Sequence, residues 1–271
     1  MIPAIVYVLF GLALGSFLNV CITRLPRGES VLLPGSHCRR CGAGILKRDN
    51  VPALSWILLR GRCRSCGASI PRRYPAVEIA TSALFLLCGL QFGPNWVGIT
   101  WATLCFLLLG LAVTDMETML LPNRFILPGI VLGLLFAGIR NAVHAPESAG
   151  TRIVAGLRGA AEALIHAGIA ATFLLCIMGL YWLIRRRAGM GMGDVKLLAM
   201  LATWLGLPQT ALVLAIAVIC GAACGLVMLA GSKDEDRGAL SLPFGAFLSL
   251  AGIYCIFLGE RTVRWYAHFL A

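Results

Sequence analysis

The sequence predicts an all-α polytopic membrane protein of about eight transmembrane helices, with a cytoplasmic loop rich in cysteine after the first helix. The chain of 271 residues is 59% hydrophobic and only 13% charged, whereas soluble domains are about a quarter charged. Long segments carry no charged side chain, and a polar segment near the N-terminus holds cysteines in two close pairs. These observations argue against a soluble enzyme.

The charge-free segments set the number of helices. A membrane span needs roughly 20 apolar residues, because the hydrocarbon core is about 30 Å thick and a helix rises about 1.5 Å per residue. Two of the charge-free segments are too long for one span, and they contain the turn signals Gly93-Pro94 and Gly206-Leu207-Pro208, which predict breaks. The predicted spans are 2–22, 76–92, 95–113, 121–140, 162–184, 195–207, 209–231 and 239–259.

Lysine and arginine predict the orientation, because they are retained on the cytoplasmic side of a membrane. Residues 24–75 carry 11 of the 23 lysines and arginines, so this loop is predicted to be cytoplasmic. Counting spans from the loop places both termini in the periplasm. The net charge of +11 then reflects topology and attraction to anionic membrane lipid, and gives little support for nucleic acid as a partner. The predicted segments are 1–23, a first helix; 24–75, the polar loop; and 76–271, a seven-helix membrane domain.

The polar loop contains two copies of the pattern Cys-x-x-Cys-Gly, separated by 21 residues. The pairs are Cys38 with Cys41 and Cys63 with Cys66. Four thiolates can bind one tetrahedral zinc ion, and a glycine after the second cysteine lets the backbone turn under the metal. The loop has few apolar residues, so a structural metal would stabilise it. The sequence therefore predicts zinc; two redox-active dithiols are the alternative, and His37 is a possible substitute ligand.

Four carboxylates adjoin apolar segments, where an ionisable group is costly and is by default a functional candidate. They are Glu78, Asp115, Glu117 and Asp194. Two predicted spans separate Asp115 from Asp194, so both lie on the cytoplasmic face. Two neighbouring carboxylates share a proton, and such a pair activates water against a peptide bond. A catalytic dyad is thus one interpretation; independent helix caps or charges at the lipid interface are the other.

Three closely spaced glycines precede one of these aspartates. Gly189, Gly191 and Gly193 precede Asp194, and Lys196 follows it. A nucleotide-binding loop is not supported, because no strand precedes the glycines; they instead allow a close approach of backbone. Asn19, at the end of the first span, is predicted to bond a neighbouring helix.

Several motifs together resemble those of the bifunctional bacterial type IV prepilin peptidases, also called prepilin leader peptidase/N-methyltransferases. The motifs are Gly15-Ser16-Phe17-Leu18-Asn19-Val20 with Arg24-Leu25-Pro26, the two cysteine pairs, Pro75 with Glu78, Asp115 with Leu121-Pro122-Asn123, Gly191-Met192-Gly193-Asp194-Val195-Lys196, and Leu242-Pro243-Phe244-Gly245. The resemblance covers nearly the whole chain. It implies an eight-span aspartic protease of the GxGD type in the bacterial inner membrane. Asp115 and Asp194 match the catalytic aspartates of that family, with Gly191, Gly193 and Lys196 as supporting motif residues.

The resemblance also implies the substrates and the second reaction. They are prepilins or the pseudopilins of type II secretion, whose basic leader stays in the cytoplasm. Similar enzymes cut after a glycine and then methylate the new N-terminal residue, usually phenylalanine, with S-adenosylmethionine. Glu78 and Glu117 are candidates to contact the amine or this cofactor, although helix-start and interface roles are equally open. Asn123 departs from the family pattern, in which aspartate is common.

Two other functions stay open from the sequence. One is an intramembrane aspartic protease of the same dyad type that only cleaves, or that has an unrelated substrate. The other is a transporter with a zinc-sensing loop, which would need polar groups near the middle of the spans; the predicted span centres are nearly bare. Nothing in the sequence predicts an oligomeric state.

Overall fold

The computed structural model describes residues 2–146, 148–186, 191–231 and 242–270. The helices within these ranges are α1 Ile2–Arg24, α2 Leu54–Leu58, α3 Arg73–Phe92, α4 Trp96–Thr118, α5 Asn123–His144, α6 Ala149–Arg185, α7 Met192–Gly231, α8 Phe244–Tyr254 and α9 Glu260–Leu270. Seven helical segments of the described chain are long and apolar enough to cross a membrane. The predicted class, an all-α polytopic membrane protein, is therefore confirmed. The chain divides into two compact units, Met1–Gly110 and Leu111–Ala271.

In the first unit, α1 packs directly on α3. A methyl group added to Gly15 would lie 2.7 Å from the Cα of Glu78, so the two backbones touch at this glycine. The Nδ2 of Asn19 donates a hydrogen bond to the carbonyl oxygen of Tyr74, at 3.0 Å. Asn19 thus bonds a neighbouring helix, as its position at the end of the first span predicts.

In the second unit, a tryptophan of α7 fastens that helix to α5. The indole Nε1 of Trp204 donates to the carbonyl oxygen of Gly129 at 2.8 Å, and the ring stacks on Phe136 with centroids 5.5 Å apart. A buried indole needs such a partner for its N–H. Gly133 lies under the ring, where a methyl group would approach Trp204 Cδ1 to 2.7 Å.

Helix α7 is broken near its middle. Gly206 has φ 74° and ψ 171°, outside the helical region, and Pro208 cannot donate a backbone N–H. The break lies where the sequence predicts the end of the sixth span. Helix α7 therefore consists of a first arm, residues 192–205, and a second arm, residues 207–231.

The two arms of α7 fold back on each other. Gly193, in the first turn of the first arm, lies against Leu121, and Leu121 also lies against Gly245 at the start of α8. Gly225, late in the second arm, lies against Leu242 just before α8. Both ends of α7 are thus near the start of α8, which requires the chain to reverse at the break. The seven long helices therefore supply the eight apolar segments that the sequence predicts.

Some helix boundaries differ from the predicted ones. Helix α6 starts at Ala149 instead of 162, because the side chain of Ser148 accepts the N–H of Thr151 and caps it. Helix α4 continues to Thr118, beyond the predicted end at 113. The segment between the predicted seventh and eighth spans, 232–238, and the first residues of the predicted eighth span lie outside the described residues.

Candidate active site and metal centre

The four cysteines of the polar loop form one cluster. Its members are Cys38, Cys41, Cys63 and Cys66. Their Sγ atoms all lie within 4.8 Å of one another, and those of Cys38 and Cys66 are 3.9 Å apart. Zinc–sulfur bonds of about 2.3 Å in a tetrahedron place sulfur atoms about 3.8 Å apart, so the cluster fits a zinc ion. His37, the alternative ligand that the sequence offers, has its Nδ1 at hydrogen-bond distance, 3.0 Å, from the carbonyl oxygen of Gly35.

The two cysteine pairs have the same backbone geometry. In each pair, the N–H of the first cysteine donates to the carbonyl oxygen five residues later, at 2.9 and 2.8 Å. The glycine after each pair, Gly42 or Gly67, has a left-handed φ of 72° or 68°, a conformation that favours glycine. The repeated sequence pattern therefore builds two equivalent knuckles.

The backbone around Cys38 favours the thiolate form that zinc requires at this position. The backbone N–H groups of Cys41 and Arg40 lower the pKa of the Cys38 thiol to about 6. On the second knuckle, the guanidinium of Arg64 donates two hydrogen bonds to the carboxylate of Asp49, at 2.8 and 2.6 Å. This bidentate pair ties the knuckle to the segment between the two cysteine pairs.

In the second unit, Asp115 lies within the last turn of α4 and is only 5% exposed. Its Oδ2 accepts a hydrogen bond from the backbone N–H of Ala246, at 2.9 Å. The N–H of Gly245 donates to the same carboxylate. Both donors belong to the first turn of α8, where N–H groups lack the usual acceptor four residues earlier in the helix and the helix dipole favours an anion. The start of α8 therefore holds this carboxylate.

Asp194 lies in the first turn of α7 and is 8% exposed. Its carboxylate accepts a hydrogen bond from the N–H of Gly191, and it is close enough to Asp115 for the two charges to interact. The structure thus brings both aspartates into one largely buried site. Gly189, the first glycine of this segment, lies outside the described residues.

Leu121 lies between the segments that carry the aspartates. A methyl group on Gly193 would lie 2.9 Å from the Cβ of Leu121, and one on Gly245 would lie 2.7 Å from its Cδ1. Both distances are shorter than carbon atoms tolerate without a shift. Each glycine therefore brings its backbone against the leucine.

Lys196 extends from α7 to the start of α5. Its Nζ donates to the Oδ1 of Asn123 at 3.1 Å, in an exposed position. The amide at position 123 supplies the acceptor here. Lys196 and Asn123 therefore link the two helix starts without forming an ion pair.

Glu78 belongs to the first unit and Glu117 to the second. The Oε2 of Glu78 accepts the N–H of Ala53 at 2.7 Å, and the hydroxyl of Ser16 also bonds this carboxylate. Glu78 thereby anchors the polar loop to α3. Glu117 is exposed near the end of α4.

The sequence did not indicate the contribution of two residues at this site. Leu121 belongs to the motif Leu121-Pro122-Asn123, but an apolar residue in a turn does not reveal which backbones it contacts. Ala246 acts through its backbone N–H, which no side-chain pattern reveals. For Ala246 the sequence signal is Pro243 followed by Phe244 and Gly245, a proline before a helix start with a glycine in its first turn.

Comparison with known proteins identifies the family. Residues 9–92 match the Bacterial Peptidase A24 N-terminal domain, and residues 102–226 match the Type IV leader peptidase family. A prepilin leader peptidase/N-methyltransferase of Aeromonas hydrophila is 33% identical, over 95% of this chain and 91% of the relative. One of Burkholderia pseudomallei strain 1026b is 37% identical, over 93% and 84%.

A type 4 prepilin-like proteins leader peptide-processing enzyme of Escherichia coli O78:H11 is 36% identical, over 92% of this chain and 91% of the relative. No solved structure matches the chain. The alignments with these relatives cover nearly the full length of the chain. The aligned region therefore includes both the cysteine loop and the helices that carry the two aspartates. The chain belongs to the type IV leader peptidase family.

Proposed function

We propose that this protein removes the basic leader from type IV prepilins or type II secretion pseudopilins and then methylates the new N-terminal residue, usually phenylalanine. As a member of its family, the chain is an enzyme with peptidase and N-methyltransferase activity. The observation that carries the proposal is that Asp115 and Asp194 lie in one buried site. The start of α8 holds Asp115, and Asp194 lies in the first turn of α7.

In the proposed cleavage, Asp115 and Asp194 share one proton. The ionised carboxylate takes a proton from water, whose oxygen attacks the scissile carbonyl carbon, and the protonated carboxyl donates its proton to the carbonyl oxygen. The C–N bond of the tetrahedral intermediate then breaks. The carboxyl that took a proton from water gives this proton to the leaving nitrogen, and the carboxylate that protonated the carbonyl oxygen takes a proton back from a hydroxyl group of the intermediate. One shared proton remains for the next cycle.

An extended substrate would approach beside Gly191. Among the residues that the structure describes, a methyl group there would meet only the Oδ2 of Asp194 at 3.5 Å and the N of Gly193 at 3.9 Å, so these residues leave room beside it. A protease needs an extended substrate, because a helix hides its amide bonds. Gly193, by contrast, packs against Leu121. We therefore assign close substrate approach to Gly191 and internal packing to Gly193.

We propose that the aspartate site lies at the cytoplasmic face of the inner membrane, where a basic leader would remain. The reversal of α7 supports this topology, because it lets the end of α4 and the starts of α7 and α8 meet on one side. Eight crossings then place both termini in the periplasm. The distribution of lysine and arginine supports the same orientation.

The cysteine cluster would hold a structural zinc ion. Four protein thiolates fill a tetrahedral zinc, which leaves no position for a substrate. Cys38, Cys41, Cys63 and Cys66 are the proposed ligands. Bound zinc would supply the stability that this polar loop cannot obtain from a hydrophobic core.

For the second reaction, bound S-adenosylmethionine supplies a methyl group to the new N-terminal amine. Glu78 and Glu117 are the proposed residues for contact with the amine or the cofactor. Glu78 fits a contact with a positive group, because a carboxylate has about four acceptor positions; among the described residues, Ala53 and Ser16 donate to this carboxylate.

One experiment tests cleavage and methylation together. The purified protein in lipid would be incubated with a model prepilin and S-adenosylmethionine, and the products weighed by mass spectrometry. We expect cleavage after the leader glycine and one added methyl group. Asp115→Asn and Asp194→Asn should each abolish cleavage, whereas Glu162→Gln, an exposed carboxylate on α6, should not. Undiminished cleavage in both asparagine variants would refute the aspartyl mechanism.

Methylation is tested separately with a peptide that already lacks its leader. Glu78→Gln and Glu117→Gln are compared with the unmodified protein for both reactions. Loss of methylation with cleavage preserved would assign the altered glutamate to the second reaction. Normal methylation in both variants would exclude these carboxylates from that site. Cleavage without methylation in the unmodified protein would leave a peptidase only.

A further inference from the structure

We propose that Leu121 is a positioning residue that sets the separation of Asp115 and Asp194. The inference rests on the proposed aspartyl function and extends it to a residue with no polar side-chain atom. Leu121 occupies the turn between α4 and α5, two residues after Met119, whose φ of 54° ends α4. Pro122 follows and caps α5. The leucine is thus held in the chain close to Asp115.

The first contact of Leu121 is with the backbone before Asp194. A methyl group on Gly193 would lie 2.9 Å from the Cβ of Leu121 and 3.0 Å from its Cδ1. Hydrogen is therefore the only side chain that fits without movement. Because Gly193 directly precedes Asp194, the leucine limits how closely that aspartate can approach α4.

The second contact is with the helix start that holds Asp115. A methyl group on Gly245 would lie 2.7 and 2.9 Å from the two methyl carbons of Leu121, and 3.0 Å from the Oδ2 of Asp115. The N–H of Gly245 donates to this same carboxylate. The backbone at Gly245 therefore lies against both Leu121 and the Asp115 carboxylate.

Leu121 accordingly acts as a spacer between two helix starts, each of which fixes one aspartate. Interiors of proteins are closely packed, so a spacer of a different size leaves a void or forces a shift. Acid–base chemistry on a bound peptide is sensitive to such shifts, since a displacement of about 1 Å can lower a rate about 100-fold. The leucine affects the separation of the two carboxylates and has no polar group that could take part in the reaction.

The first test compares three single variants. We expect Leu121→Ala to lower kcat for leader cleavage by about 10- to 100-fold, with a much smaller change in KM. Leu121→Met, which restores most of the volume, should keep most of the activity. Leu120→Ala is the matched control, because Leu120 is the preceding residue and is 53% exposed; its kcat should not change. Methylation of a peptide without a leader reports whether each variant is folded.

The second test uses the difference between the two contacts. Gly245→Ala would clash most closely with methyl carbons of Leu121 that Leu121→Ala removes, whereas its contact of 3.0 Å with the Oδ2 of Asp115 would remain. The double variant should therefore recover part of the cleavage rate that Gly245→Ala loses. Gly193→Ala would clash with the Cβ of Leu121, which alanine retains. Leu121→Ala should therefore restore far less activity to Gly193→Ala. Structural damage at Leu121 without a spacer role would make every double variant worse than its single variants.

The outcomes separate this inference from the proposed function. An unchanged kcat in Leu121→Ala, or a Gly245→Ala variant that Leu121→Ala does not improve, overturns the positioning role while the aspartyl mechanism stands. Absence of cleavage by the unmodified protein, or full cleavage by both asparagine variants, refutes the proposed function itself. A lower kcat in Leu121→Ala, together with rescue at position 245 and poor rescue at 193, supports the spacer.

Discussion

The backbone N–H of Ala246 donates to the Oδ2 of Asp115 at 2.9 Å, across 131 positions of sequence. The same N–H lies 3.1 Å from the carbonyl oxygen of Pro243, within its own helix start. The donor is thus shared between a local turn and a distant carboxylate. Asp115 owes its position to the docking of α8, and substitutions at the start of that helix should affect cleavage.

Replacing Ala246 by proline removes the N–H that Asp115 accepts. Proline is tolerated in the first turn of a helix, so α8 should still form. A hydrogen bond to a charged group contributes about 1.5–3 kcal/mol, which corresponds to a fall in kcat for cleavage of about 10- to 100-fold. Ala246→Gly keeps the N–H and serves as the control. Equal cleavage rates for the proline and glycine variants would show that this hydrogen bond does not matter.

The cysteine cluster predicts one zinc ion per chain. Replacing Cys41 or Cys66 by serine should remove the metal, because a tetrahedral site loses one of its four thiolates. Cys176→Ser, at an exposed position of α6, should retain it. Elemental analysis of the purified variants measures the metal directly. Acidification should also release zinc, since protons compete for thiolates. A metal-free protein with two disulfides would favour the redox alternative.

Glu78 should contribute to stability as well as to any role in methylation. Glu78→Ala leaves the Ala53 N–H, now bonded at 2.7 Å, without its acceptor. We expect the free energy of unfolding to fall by about 1–2 kcal/mol. Glu78→Gln keeps an acceptor oxygen and should cost less. Thermal unfolding in detergent compares the two; a glutamine variant as unstable as the alanine variant would mean that the charge, and not the acceptor, stabilises the loop.

The amide at Asn123 can be converted to a carboxylate by a single substitution. Asn123→Asp would pair with the Lys196 Nζ, now 3.1 Å from the amide oxygen, and would place a negative charge at the start of α5. Both effects are favourable and small, because the site is exposed, so we expect a gain of about 0.5–1 kcal/mol. The gain should shrink in high salt. A salt-independent change would point to packing instead of charge.

Hydropathy predicted the helices well, because it reports a local property of each segment. The break at Gly206 was also visible in the sequence as Gly206-Leu207-Pro208. The start of α6 was not, because Ser148 caps a segment that carries Arg152 and Arg158 and therefore looks too polar for a span. The end of α4 was likewise placed too early, so Asp115 lies inside the helix instead of after it.

The sequence by itself determined the apolar segments and the cysteine knuckles, because both depend on residues that are near one another in the chain. It also predicted that Asp115 and Asp194 lie on one membrane face. Only the tertiary structure decided that these aspartates share one site and that Ala246 and Leu121 complete it. Contacts between the ends of different helices depend on how the helices pack, and neither hydropathy nor motif spacing encodes that packing.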